Sequence, residues 1–479
     1  MGLNIMKSQV LKRFWAAVAA FSLAGGTLAA YDVKPLVIPL GREVTVTIRA
    51  TGDAEKKVLA ETPVYYLSDQ GFWTDGEAHG APPWSPEWQP MTVTRGDGFL
   101  TFPIKVKTEG WHNLRLGTPV PGKRGKFPPK TPALQLYSLA DDLFAMRPWK
   151  GDIHQHSTRC GHAKLEPQVI PAYNRRIGFD FMALSEHRKQ PPSIEAIKAA
   201  APWKSGLALF PAEEFHCRSD ALHAVALGHR ESITAYPAKQ PAEFKRRVAE
   251  EKAKPIYRKY HLNARELEQA AIATVLFAVA REYGAVFIAY SHPVGLIGQQ
   301  GIEDPTENYR SYMIDNADYD ALEMNSDITP FNGKTKRADR MMLMTSLWVE
   351  ANHRKGRIIP VVGVDDNHNQ AAEWFGNSYT VFFAPKCSLA DFVDAVKNLR
   401  TLAVRHPDTP TYMCFGPSRL MKFEQFLGKY YWPEHDRLCR KQGELLLKRA
   451  AGDTSVQPEI EKLTAAIDAY RESCYAPGR

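Results

Sequence analysis

The sequence predicts an α/β protein with an all-β region ahead of the α/β part and helices behind it, and three observations carry that expectation. Between Arg147 and about His406, short apolar runs alternate with helical segments, the pattern of a parallel sheet or barrel. From Tyr31 to about Leu143 the runs are short and strand-like and are parted by Gly, Pro and Asp clusters. Nine residues of metal-ligand type recur through the α/β stretch, each beside an apolar run that reads as a strand about to end. In a parallel α/β barrel those ends share one face, so residues far apart in sequence would converge there.

In chain order, Lys7, Lys12 and Arg13 precede an apolar, small-residue run from Phe14 to Ala30 that ends in Leu28-Ala29-Ala30. That is the pattern of a cleaved secretory signal peptide, and Gly25 and Gly26 interrupt a run already short for spanning a bilayer. The expected divisions are a signal segment 1–30, a β-sandwich 31–145, an α/β unit 146–408 and a helical extension 409–479. Removing the first segment takes three basic residues and lowers the formal charge of +8 to +5. A mildly basic mature chain weakly favours an anionic small-molecule substrate. It shows no Lys/Arg stripe, so a nucleic-acid partner is not expected. No other stretch is long and apolar enough for a membrane, which makes a periplasmic or secreted protein the expectation; the oligomeric state is left open.

The all-β region offers strands from Val44, Pro63, Met91, Phe99 and Ala133, spaced as in an immunoglobulin-like sandwich. The aromatic stretch from Trp73 to Trp88 reads as a long loop that packs on a neighbouring domain or binds sugar. Seven strands fit the next region: around Asp152, Phe179 to Ser185, Leu207 to Glu213, Ala221 to Leu227, Ala285 to Tyr290, Ala321 to Met324, and Ile358 to Val364. The clearest helix runs from Ala264 to Tyr283, with Asn263 and Glu266 as a capping box and Gly284 at its end. Gly178 closes the helix containing Tyr173 and Arg176, and the charged segment from Ala242 to Tyr260 reads as an inserted helix with a solvated face. A helical hairpin follows, Glu434 to Arg449 and Gln457 to Glu472, which should pack against the α/β unit. Of six cysteines, Cys439 with Cys474 and Cys387 with Cys414 are the plausible disulfides of an exported chain, while Cys160 and Cys217, which fall near expected ligands, read as small buried hydrophobes ahead of a metal role.

The ligand types are His154 and His156 in GDIHQHS, His162 shortly after, His187 in FMALSEH, Glu214 in LALFPAEEFH, His223 in LHAVALG, His292 in VFIAYSHP, and Asp366 with His368 in IIPVVGVDDNH. His154 and His156 are two apart at a strand end, so both side chains project to one face and can hold one ion. A lone histidine is usually a satisfied core residue; two at this spacing with five more at separate strand ends indicate a metal cluster.

These motifs together resemble the polymerase and histidinol phosphatase family, the PHP domain, over residues from about 148 to 405. GDIHQHS looks like its H-x-H motif, GFDFMALSEH its second motif, PAEEF its glutamate motif, AYSHP its Ala-His-Pro motif and VDDNH its closing Asp-x-His. The resemblance implies a distorted seven-stranded, TIM-like (β/α)7 barrel holding two to three divalent ions, zinc, manganese or iron. It would place His154, His156, Glu214 and Asp366 on one ion and His162, His187 and His368 on a second. Glu214 would bridge to a third ion bound by His223 and His292. Motif spacing selects Glu214 over Glu213 and Asp366 over Asp365, and Glu186 stands where the family usually has Asp. Glu323 would support a metal-binding side chain, face the substrate or fill the barrel interior, and Arg159 and Arg188 are candidate contacts to a substrate anion.

With Glu214, Asp366 and His368 as the expected catalytic residues, the implied chemistry is hydrolysis by a metal-bound hydroxide. Small phosphate esters suit such a centre best. Carboxylic or carbamic ester or amide hydrolysis is the alternative, through a likeness to exported carbaryl-hydrolase-like metallohydrolases. A non-catalytic glycan-binding protein is the alternative of another class.

Overall fold

The computed structural model describes residues 30–67, 88–121, 123, 126–216, 223–293, 306–325, 340–372, 375–405 and 413–477. The signal segment up to residue 29, nearly all of the Trp73 to Trp88 stretch, Cys217 and His406 lie outside the described residues. The chain divides into two compact units, one formed by 1–144 with 429–433 and 470–479, the other by 145–428 with 434–469.

Among the described residues the first unit has nine strands: β1 (Tyr31–Lys34), β2 (Val37–Pro39), β3 (Glu43–Ala50), β4 (Val64–Leu67), β5 (Trp88–Pro90), β6 (Thr94–Gly96), β7 (Phe99–Lys105), β8 (Gly110–Leu116) and β9 (Ala133–Leu139). They form two sheets, in the orders β1-β3-β7-β6 and β2-β9-β8-β4-β5. Every pairing is antiparallel except β2 with β9. Period-two burial explains the strands: Val46 and Ile48 on β3 and Leu100, Phe102 and Ile104 on β7 are buried while their neighbours are not. Strand β8 escapes a hydropathy reading because its buried positions include His112, which is satisfied by Ser138 Oγ at 2.8 Å and Tyr66 Oη at 3.2 Å. The last residues return to this unit, where the N–H groups of Leu36 and Val37 donate to Cys474 O and that of Ala476 donates to Val37 O.

The second unit continues with β10 (Arg147–Asp152), β11 (Phe181–Ala183), β12 (Ala208–Phe210), β13 (Ala212–His216), β14 (His223–Leu227), β15 (Phe287–Tyr290), β16 (Ala321–Asn325), β17 (Val361–Val364), β18 (Ser378–Ala384), β19 (Thr401–Arg405) and β20 (Met413–Phe415). Two sheets result, β12-β11-β10-β18-β19-β20 and β13-β14-β15-β16-β17. The expectation of a parallel arrangement holds for β10, β11 and β12 and for β15, β16 and β17, and is corrected elsewhere: β13, β14 and β15 pair antiparallel, as do β10, β18, β19 and β20. Composition marks a strand but not its direction. The single strand expected from Leu207 to Glu213 is two, β12 and β13, parted at Pro211, whose missing N–H breaks the ladder. Among the described residues the sheets do not merge into one continuous ladder. Isolated bridges join them, His187 with Glu214 and Gln155 with Asn367.

Alternate residues of the strands fill one apolar core: Phe181 and Ala183, Phe210 and Ala212, Val225 and Leu227, Phe287 and Ala289, Val362 and Val364. The helix expected after Asn263 runs Ala264–Glu282 with both hydrogen bonds of the capping box formed. Helices Trp432–Ala450 and Gln457–Ser473 form the expected hairpin, and Leu446 and Ile460 pack on Ala172, Ala200 and Trp203. The approach is close: a Cβ on Gly443 would stand 2.4 Å from Arg176 Cα, and one on Gly178 would meet Asp436. The expected disulfides are absent. Cys387, Cys414, Cys439 and Cys474 are free thiols; Cys439 Sγ lies 3.7 Å from His435 Nε2, and Cys474 Sγ accepts from Lys34 Nζ at 3.1 Å.

Candidate metal centre

The second unit brings nine histidines and carboxylates of the sequence motifs together. Strand β10 ends at Asp152, whose carboxylate accepts from the N–H groups of His154 (2.9 Å) and Asp365 (3.3 Å) and so ties two ligand loops together. His187 follows β11, Glu214 lies within β13, His292 follows β15, and Asp366 and His368 follow β17. His223 is at the start of β14 rather than at a strand end. It reaches the same place because β14 runs antiparallel to β13, in a register that sets His216 opposite His223.

Glu214 is the hub. It is fully buried, and its carboxylate oxygens stand 3.3 Å from His154 Nε2, 2.5 Å from His187 Nδ1, 3.1 Å from His216 Nε2, 2.8 Å from His223 Nδ1 and 3.4 Å from His292 Nε2. Asp366 Oδ1 lies 3.0 Å from His156 Nε2 and 3.4 Å from His154 Nε2. His156 stacks on both His187 and His368, with ring centroids at 4.0 and 4.1 Å, and those two rings meet each other at 3.3 Å between their Nε2 atoms. His162 sits at the exposed edge, stacked on His368 at 4.5 Å. The adjacent acids face elsewhere. Glu213 accepts from the N–H groups of Ile233 and Thr234 and from Ser232 Oγ, and Asp365 accepts from Asn367 Nδ2 and the N–H of Gly376.

Of the three substrate candidates, Glu323 takes the ligand-supporting one of its expected roles. Glu323 is buried with both oxygens 3.0 Å from His154 Nδ1, so it fixes that ring rather than facing a substrate. Arg159 is directed outward onto Glu195 (2.8 Å) and Glu166 (2.9 Å). Arg188 points Nε at His216 Nδ1, 3.3 Å away. His216 itself was not among the expected ligands. Its signal is the two-residue spacing from Glu214 along one strand, the same spacing that singles out His154 and His156. Cys160, read as a small buried hydrophobe, is half-buried with His162 and His368 near enough to share an ion with it.

Electrostatics divide the imidazoles. Burial opposes charge on His154, but Glu323, Asp366 and Glu214 raise its pKa well above the usual value. Burial likewise opposes charge on His156, while Asp366 and Glu186 bring it up to about 9. Burial and neighbouring imidazoles push His223 and His368 down to about 3, against the pull of Glu214 and Asp366 respectively. Burial would raise Glu214, yet His223, His154, His216 and His187 hold it well below the carboxylate range. So many imidazoles cannot all be protonated at once, and those that stay neutral keep a lone pair.

That donor set fits divalent cations. Glu214 Oε2 and His154 Nε2 are buried with no hydrogen bond aligned on them, whereas the outer nitrogens of two rings are engaged, His154 Nδ1 by Glu323 and His368 Nδ1 by the carbonyl of Asp366 at 3.1 Å. An acceptor on Nδ1 turns Nε2 inward as a ligand, the arrangement that metal-binding histidines use. The backbone is also strained here. Arg188, His292 and Asp366 have φ of 58°, 26° and 49° without being glycine, each at a cost of about 1–3 kcal/mol that concentrates at functional sites. A second buried group, Asp180, His435 and Cys439, has ligand chemistry too, but Arg175 already neutralises Asp180 at 3.1 Å.

Glu323→Gln should leave the fold in place and weaken ion binding by about 10- to 100-fold, because an amide is a poorer acceptor for His154 Nδ1–H. Metal-competition titration reads this directly, and an unchanged affinity would remove Glu323 from the centre.

No family model matches the chain, and no curated protein matches it. Several solved structures are weakly similar. A protein assigned as a metal-dependent phosphoesterase from Bifidobacterium adolescentis is 15% identical over 47% of this chain and 89% of its own, with a TM-score of 0.29. A lesion-specific endonuclease from Pyrococcus furiosus is 14% identical over 69% and 94%, at 0.33. An amidohydrolase from Chromobacterium violaceum is 16% identical over 46% and 88%, at 0.26. At scores this low the chemistry has to be read from the site itself.

Proposed function

We propose that the chain is an exported metal-dependent hydrolase of the polymerase and histidinol phosphatase type, acting on small phosphate esters. The observation that carries the reading is Glu214: a buried carboxylate with five imidazole nitrogens within 3.4 Å, one of its oxygens without an aligned donor. Divalent cations would satisfy the whole arrangement, whereas protons satisfy only part of it, because His223 and His368 are held neutral. The seven-stranded barrel belongs to the same proposal, with the single bridges of His187 to Glu214 and Gln155 to Asn367 as its seams.

Ions bound by these residues would supply a nucleophile from water near neutral pH and neutralise charge developing on the electrophile's oxygen. The protein's own contribution is placement. Glu214 can bridge two ion positions because each of its oxygens faces a different set of imidazoles. Asp366 draws His154 and His156 to one point, Glu323 locks the His154 ring, and Ser157 N–H holds Glu186 beside His156. Phosphate is favoured over a carboxyl ester because several cations can clamp its nonbridging oxygens together, and the mildly basic mature chain attracts anions.

The purified mature chain should carry two to three transition-metal ions, since nine ligands exceed what one ion can take. Elemental analysis finding one ion or none after reconstitution with zinc, manganese or iron would remove the cluster. Phosphomonoesters, phosphodiesters and aryl or carbamic esters assayed side by side on the loaded protein test the substrate class. Turnover confined to the aryl and carbamic esters would overturn the phosphoesterase assignment.

A further inference from the structure

We infer that His216 is a further ligand of this centre, a tenth side chain that shares an ion position with Glu214 and His187. The inference rests on the metal reading above and goes past the nine residues that the motifs supply. Strand geometry brings His216 there. Positions 214 and 216 of β13 project to one face, and His216 is the cross-strand partner of His223, with the two rings stacked at 3.7 Å and 18°. His216 is buried, at 6% exposure.

Its Nε2 lies 3.1 Å from Glu214 Oε2 and 3.0 Å from His187 Nδ1, and those two atoms are 2.5 Å apart. Ligands held about 2.0–2.2 Å from a tetrahedral ion stand roughly 3–3.5 Å from one another, so the triangle is near the size one ion needs. Two neutral imidazoles can share a proton along the 3.0 Å contact, yet Glu214 Oε2 still has no hydrogen bond aligned on it. A single cation satisfies all three atoms. Coordination through Nε2 leaves the ring proton on Nδ1, where Arg188 Nε now donates, so the guanidinium has to move off the ring when the ion binds. An added imidazole also biases this position toward zinc or iron over magnesium.

The test is cobalt(II) titration of the metal-free protein, with bound metal counted after dialysis and proton NMR recording the exchangeable, far-shifted N–H signals that only cobalt-bound imidazoles give. Wild-type protein should take up cobalt, and His216→Ala should lose one such signal and hold the affected ion about tenfold or more weakly. His216→Gln, which keeps a polar side chain of similar reach, should behave alike and stands in if the alanine variant does not fold. A weakened ion with every shifted signal retained makes His216 an orienting residue and overturns the assignment, as do unchanged signals and affinity. Wild-type protein that binds no cobalt overturns the metal reading itself, a distinct outcome.

Discussion

Glu214→Gln is expected to lower turnover by about a thousandfold or more, with the fold retained, the scale of loss seen when one major electrostatic contribution is removed from an active site. The amide matches the carboxylate in size but carries no charge. Five imidazole nitrogens within 3.4 Å would lose their shared counter-charge, and two ion positions would lose the anion that lets them stand side by side. The paired control is Glu213→Gln. Glu213 is bound to Ser232 Oγ and to the N–H groups of Ile233 and Thr234, so its loss should cost about 1–3 kcal/mol of stability and little turnover. Near-normal turnover in Glu214→Gln with loss in Glu213→Gln would exchange the two roles. Activity in both would remove the hydrolytic mechanism.

The site was more legible in the sequence than the sheets around it, for a physical reason. Histidine, aspartate and glutamate at the ends of apolar runs stand out because burial of such groups is costly, so His154, Glu214 and Asp366 announce themselves. Strand direction leaves no such trace. Leu207 to Glu213 and Ala221 to Leu227 read as consecutive parallel strands, whereas β13 and β14 pair antiparallel, and that pairing is what sets His216 against His223. Ser378–Ala384 is buried at every position and pairs antiparallel with β10, but it carries no ligand to mark it. Glu323 shows the limit of spacing alone: only the fold turns it onto His154 Nδ1. The disulfide expectation failed because compartment chemistry states which cysteines can oxidise and not which lie within reach of each other.

Asp180→Asn should destabilise the second unit by about 3–5 kcal/mol, the usual penalty for removing one partner of a buried ion pair. Asp180 Oδ1 meets His435 Nε2 at 3.1 Å and Arg175 Nη1 at 3.1 Å, and all three side chains are at most 2% exposed. Arg175 Nε also donates to Gln442 at 2.6 Å, on the same helix as His435, so the network fastens Trp432–Ala450 to the body of the unit. Losing the carboxylate leaves a buried guanidinium without its counter-charge. His435→Gln removes one of the groups that need Asp180, so the double variant should cost less than the two singles summed. Burial opposes charge on His435, but Asp180 outweighs it and raises its pKa well above the usual value. The stabilisation from its proton is therefore full below about pH 6.5 and is lost as pH rises through the folded value. Denaturant unfolding across pH should show wild type losing stability on the alkaline side while Asp180→Asn, already weakened, changes less. A variant as stable as wild type with the same alkaline limb would mean that the helix is held instead by Leu446, packed with Ile460 of the next helix against Ala172 and Trp203.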